Sequence, residues 1–179
     1  MSKKFAELIK ERQSCRTFSD KTVEKELLYE IIADAINAPS ACNSQPWRVF
    51  VTNTESENDK MRNCLQDNGR NKFLDKAKAF IAIYETDGVS LKTGTELKFS
   101  SDHFVEYDVG EFVAYLTLSA KDKGLGSCII GWVNNEKMNA AFNLSGKCNI
   151  VVAFGYEKDP TVRKKTRLDA ETVIINYEK

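Results

Sequence analysis

A chain of 179 residues that is 42% apolar and 29% charged is long enough to bury a core without metal or disulfide staples, and too apolar for global disorder. Its 26 basic and 26 acidic side chains cancel, which argues against a dedicated nucleic-acid binder with the usual basic excess. Five cysteines without a CxxC spacing, and a single histidine, argue against a secreted disulfide framework, a zinc ribbon or a multi-histidine metal site.

The opening MSKKFAELIKER is charged throughout, so no signal peptide is expected, and the thiols read as reduced in a cytoplasmic protein. Phe5, Leu8 and Ile9 stand at helical spacing and predict a first helix over 4–12. Leu27, Leu28, Ile31, Ile32, Ala35 and Ile36 predict a second, ended by Ala38-Pro39 because proline disfavours helical geometry in the residue before it. Residues 48–52, β-branched and aromatic, predict a strand, and 58–66 a weaker helix carrying Met61 and Leu65. A buried strand follows at 79–84, then a polar, aperiodic loop or lid over 85–103, with His103 read as a surface or capping residue.

A long helix over 104–123 has Val105, Val109, Phe112, Val113 and Leu116 on one face, Gly110 inside it and Gly124 as its C-cap. A short strand at 127–130, a helix capped by Asn134 or Asn135 and running to Phe142, and a buried strand at 149–154 complete the pattern. A basic, irregular stretch then leads to an apolar end at 172–175, which belongs on this sheet or on that of a second subunit. The order predicts one mixed α+β domain over 1–179. No stretch of about 18 apolar residues occurs, so no membrane helix is expected.

Neither GxGxxG nor a P-loop is present. Three polar clusters carry the chemistry instead. Residues 12–16, Arg-Gln-Ser-Cys-Arg, offer forked donors for a phosphate or a polar ring edge, although a solvated helix end would look the same. Residues 39–47 form a nine-residue connection rich in short hydrogen-bonding side chains, longer than the usual helix-to-strand link. In residues 158–167 five of the ten are basic, which is either a solvated tail or a phosphate-capturing segment.

Together these segments resemble the nitroreductase family of FMN-dependent oxidoreductases. Arg12, Ser14 and Arg16 match its R-x-S-x-R pattern, with Phe18 following. Ala38, Pro39, Ser40, Asn43, Gln45, Pro46 and Trp47 match A-P-S-x-x-N-x-Q-P-W. Gly124 to Cys128, then Ile130 and Gly131, match G-L-G-S-C-x-I-G, and Gly155, Tyr156, Lys165 and Arg167 match its C-terminal pattern. The resemblance implies an α+β fold with a central, mostly antiparallel sheet flanked by helices, in an intertwined homodimer with C-terminal segment exchange and FMN at the interface.

It further implies that Arg12, Ser14 and Arg16, with Gln13 between them, bind the flavin's phosphate, ribityl chain and ring edge. Pro39, Ser40 and Asn43 would reach in from the partner subunit. Ile130 and Gly131 would present backbone N–H groups near the reactive ring nitrogen, and Asn71 would meet the ring edge. Lys165 and Arg167 would close on the phosphate. The implied activity passes a hydride from NADH or NADPH to flavin N5, then two electrons to an electrophilic acceptor (nitroaromatic, quinone or enone) in ping-pong fashion. No metal and no protein acid, base or nucleophile is needed, and no nucleic acid or membrane partner is implied. Alternatives are a flavin-binding protein without turnover, serving storage or sensing, and a related flavin-consuming or reductively dehalogenating enzyme.

Overall fold

The computed structural model describes residues 4–87 and 102–175, with only the backbone of 102 and 103. Of the predicted 85–103 loop, residues 88–101 lie outside the described residues, as does the side chain of His103. The elements in order are α1 (Phe5–Glu11), α2 (Lys25–Ala35), β1 (Trp47–Thr52), α3 (Glu55–Leu65), β2 (Ala79–Glu85), α4 (Asp102–Asp122), β3 (Gly126–Ile130), α5 (Asn135–Phe142), β4 (Lys147–Gly155) and α6 (Ala170–Val173).

The four strands form one sheet in the order β1-β2-β4-β3, every neighbouring pair antiparallel. The central strands are apolar on both faces because both faces are covered. From β2, Ala79, Ile81 and Ile83 point to one core and Phe80, Ala82 and Tyr84 to the other, as a period of two requires. The first core is closed by Leu28, Ile31 and Ala35 of α2 and by Val109, Phe112, Val113 and Leu116 of α4. There Trp47 stacks on Phe112 with ring centroids 4.9 Å apart. The second core is closed by Met61 and Leu65 of α3 and by Met138 of α5.

Caps explain two boundaries. Thr54 and Glu57 form a reciprocal capping box that starts α3 three residues earlier than apolar spacing alone predicts. The Asn134 side chain accepts from the Lys137 N–H and starts α5. Gly124 ends α4 in left-handed geometry, φ +84°.

The segment after α1 runs along the β3 edge. Ser14 bridges Ser127 in parallel register, the Cys15 N–H donates to the Ser127 carbonyl at 2.8 Å, and Phe18 bridges Glu157. Two glycines permit this approach. A Cβ on Gly126 would lie 2.9 Å from the Cys15 Cβ, and one on Gly155 would lie 2.8 Å from the Phe18 ring. The sequence pattern 12–18 is thereby held at a fixed height against the sheet.

The apolar end joins no strand of this sheet among the described residues. Ala170–Val173 makes a single helical turn, and Val173, Ile174 and Ile175 are exposed. Gly110 faces open space, with nothing within 4 Å of where its Cβ would stand.

Candidate anion-binding site

Arg12 is the residue on which α1 ends. Its Nε is buried and has no hydrogen-bond partner among the described residues. Burial pushes its guanidinium below its ordinary pKa, and neighbouring Arg167 adds to the effect while Cys128 opposes it. A buried donor without an acceptor costs roughly 1–3 kcal/mol. The group is therefore in an environment that an anion would complete.

The surroundings have the same character. Arg12, Gln13 and Ser14 line one side of a cavity of about 280 Å³, and Arg163, Lys164, Lys165, Thr166 and Arg167 line the other. Five of these eight residues are cations and none is acidic. Lys165 is likewise held below its ordinary pKa, by burial first and then by Arg167, Arg12 and Arg163. Like charges this close repel unless a polyanion lies between them.

Hydrogen bonds bring the two ends of the chain together. Gln13 Nε2 donates to the Thr161 carbonyl at 2.9 Å, and its Oε1 accepts from both the backbone N–H and the Nε of Arg163, each at 3.1 Å. Arg163 also donates to the Ser14 carbonyl at 2.9 Å. Lys165 Nζ donates to the carbonyls of Arg12 at 2.6 Å, Ile9 at 3.2 Å and Lys10. These are the otherwise unpaired carbonyls at the C-terminal end of α1, where a cation is favoured. The three N–H groups of Lys165 are thus directed at backbone. It places the end of α1 and adds charge to the cavity, which Arg12, with its unpartnered Nε, and Arg167, whose Nη1 donates to the Thr166 carbonyl at 2.7 Å, also line.

The remaining expected residues fall into two further groups. Arg16 is exposed, with its guanidinium carbon 5.7 Å from the Phe73 ring centroid. Asn71, left-handed at φ +51°, donates through Nδ2 to the Leu65 carbonyl at 2.8 Å and starts the turn Lys72–Lys76 that carries Phe73. Ile130 and Gly131 mark the end of β3, and Trp132 beyond them meets Arg70 from the same turn region as Asn71. Pro39, Ser40 and Asn43 stand apart. Their loop is tied to α4, where the buried Asp108 carboxylate accepts from the Ala41 N–H at 3.1 Å and the Ser44 hydroxyl at 3.4 Å. Ser40 Oγ accepts from the Gln45 N–H at 3.0 Å, and Asn43 Oδ1 accepts from Gln45 Nε2 at 3.1 Å. Among the described residues, no hydrogen bond joins this loop to the cation cavity.

Two participants escape motif reading. Arg163 belongs to the basic run, but only the fold pairs it with Gln13. Asp108 is an acid within the apolar stripe of α4 between Val105 and Phe112, and that misplaced charge was the signal. Burial pushes Cys15 and Cys128 above the ordinary thiol pKa, although Arg16 and Arg12 oppose this at Cys128.

An antiparallel sheet between two helical layers, with a cation-lined cavity where both chain ends meet the β3 edge, defines an α+β fold with a candidate anion site. The nitroreductase family profile matches residues 9–156, and the chain belongs to that family. It is 29% identical over 158 residues to an Archaeoglobus fulgidus protein provisionally named NADH dehydrogenase/NAD(P)H nitroreductase, covering 85% of this chain and 84% of that one. Its fold matches a nitroreductase family protein from Streptococcus pneumoniae TIGR4 with a TM-score of 0.81 at 21% identity, over 97% of this chain and 100% of that one. It also matches a provisionally assigned nitroreductase from Exiguobacterium sibiricum 255-15, solved in complex with FMN, with a TM-score of 0.83 at 19% identity over 99% of both chains.

Proposed function

We propose that this chain is an FMN-dependent oxidoreductase that uses NADH or NADPH to reduce a small electrophilic acceptor. The observation that carries the reading is the buried, unpartnered Nε of Arg12 in a cavity of five cations and no acid. A phosphate monoester, with about two negative charges and three acceptor oxygens near neutral pH, fits that donor set. The FMN complex of the Exiguobacterium protein and the name of the Archaeoglobus relative support the same choice. FMN, when bound, supplies the redox chemistry, taking a hydride from the nicotinamide and yielding two electrons to a nitroaromatic, quinone or enone.

The protein's own groups bind and orient. Arg12 and Arg167 hold the phosphate from opposite ends of the chain. Gln13 and Arg163 fasten those ends to each other, and Lys165 fixes the end of α1. Arg16 supplies positive charge at the ring edge, where reduction accumulates negative charge. Backbone N–H groups at Ile130 and Gly131 orient the ring, and Asn71 holds the adjoining turn. None of these side chains transfers a proton.

Pro39, Ser40 and Asn43 complete the site from a second copy in a homodimer. Exposed Phe5, Ile9, Tyr107, Ile129, Leu168 and Ile175 support a shared apolar interface. The exposed apolar residues of segment 168–175 support exchange of that segment between subunits. The two cores share one sheet, in keeping with one domain over 1–179. All five cysteines are unpaired, in keeping with a reducing cytoplasm.

The test is NADH and NADPH oxidation by FMN-loaded protein with nitrobenzene, menadione and an enone as acceptors. Parallel double-reciprocal plots with at least one acceptor are expected. FMN-loaded protein that oxidises neither nucleotide with any of them refutes the activity and leaves a flavin carrier.

A further inference from the structure

Arg70 and Trp132 have no part in the reading above, yet each adjoins a residue placed at the flavin ring: Arg70 precedes Asn71, and Trp132 follows Gly131. They come from different segments. Arg70 lies between the short turns Asp67–Gly69 and Lys72–Lys76, and Trp132 lies just past β3. The fold brings them into contact, with Cζ of Arg70 3.5 Å from the Trp132 ring centroid.

The pair is open to solvent. Trp132 is 43% exposed and Arg70 is exposed. The ring is the only partner of the Arg70 side chain among the described residues. The nearby acids are occupied. Asp67 Oδ2 accepts from Asn134 Nδ2 at 3.0 Å, and its carboxylate lies 3.8 Å from Lys137 Nζ. Asp75 accepts from Gln66 at 2.6 Å. The Arg16–Phe73 pair on the other side of Asn71 adds a second guanidinium beside an aromatic ring.

The guanidinium lies over the indole, and among the described residues its N–H groups have no hydrogen-bond acceptor. Those groups form a planar fork suited to a carboxylate or sulfonate. The indole, 43% exposed, leaves ring surface that can meet a second ring. A neutral aromatic would use only the second feature, and a small inorganic anion only the first. An aromatic anion uses both.

We propose that Arg70 and Trp132 form the selectivity platform for the electron acceptor, favouring aromatic acceptors that carry a carboxylate or sulfonate. The platform's place beside the ring rests on the flavin reading; its chemistry rests on the observed pair. The pyridine nucleotide also carries anions, so the experiment separates the two.

FMN-loaded protein is assayed at fixed NADH with 4-nitrobenzoate and with neutral 4-nitrobenzyl alcohol. NADH is then varied at fixed acceptor. Benzoate binding is read separately, without turnover, from quenching of tryptophan fluorescence; Trp47, the other tryptophan, is buried. Wild-type protein should favour nitrobenzoate in kcat/KM by about tenfold, the scale of one hydrogen bond to a charged group. Arg70→Ala should erase that preference, Arg70→Lys should keep part of it, and the KM for NADH should hold. Trp132→Phe should abolish the quenching by benzoate.

Equal losses with both acceptors, an effect confined to NADH, or no benzoate quenching would overturn the proposal. Protein that binds benzoate at Trp132 but oxidises no NADH or NADPH would overturn the proposed activity instead and uphold the anion platform.

Discussion

Replacing Arg12 with alanine should separate the phosphate from the rest of the flavin. Arg12 brings a buried Nε without a partner and a guanidinium pressed by Arg167, so in the ligand-free protein it is a source of strain. Its removal should leave the stability of the ligand-free protein unchanged or raise it. In the loaded protein the same group makes charge-assisted hydrogen bonds, each worth about 1.5–3 kcal/mol. Loss of one bond corresponds to about tenfold to somewhat over a hundredfold weaker binding. Riboflavin, which lacks the phosphate, should bind Arg12→Ala within about threefold of wild type, because the charge-assisted bonds lost are those to the phosphate. Arg167→Ala should behave alike, and the double variant should depart from the summed singles because both side chains share one ligand group. Arg16→Ala should weaken both ligands. The assay is flavin fluorescence titration of each variant with FMN and riboflavin. Equal weakening of both ligands by Arg12→Ala and Arg167→Ala would refute the placement of the phosphate between them.

Other outcomes follow from the same geometry. Lys165→Met should release the α1 carbonyls of Ile9, Lys10 and Arg12, costing about 0.3–1 kcal/mol and speeding amide exchange at the end of α1; unchanged exchange there would contradict the capping role. Gly155→Ala drives a Cβ into the Phe18 ring and should cost about 1–3 kcal/mol in denaturant unfolding, with Phe18→Leu restoring part of it. Burial pushes Tyr84 and Cys148 up to about 12, so neither ionises in the folded protein until the unfolded chain has already lost its protons. The contribution of these two groups should therefore be constant around neutral pH, and stability should fall between about pH 9 and 12, as the unfolded thiol and phenol ionise near 8.5 and 10. Urea unfolding at pH 7.5 and 10.5 checks the sign, and equal midpoints would contradict it.

The fold was legible where burial writes a period into the sequence. Residues 79–84 are apolar on both faces because two helical layers cover β2, and the stripes of α2 and α4 repeat as one-sided helices must. The start of α3 was equally legible in Thr54 and Glu57, a capping box upstream of the apolar residues, but apolar spacing alone overlooks it. The loop after α2 was not. Cys42 and Gln45 adopt φ of +51° and +46°, and neither residue type announces left-handed backbone. Charge was legible, but not its partners. The basic run 158–167 announces cations, whereas only the folded chain directs Lys165 at backbone carbonyls and Arg163 at Gln13. Arg70 and Trp132 carry no motif, and their contact depends on the turn after α3 lying beside the end of β3.

The visible absorption spectrum of protein purified without added cofactor, with the flavin released on denaturation identified by mass, tests the central claim most directly. The account predicts a yellow protein that releases FMN and not FAD, because a terminal phosphate is what the cavity of Arg12, Arg163 and Arg167 would hold. A colourless protein that also fails to take up added FMN would contradict it.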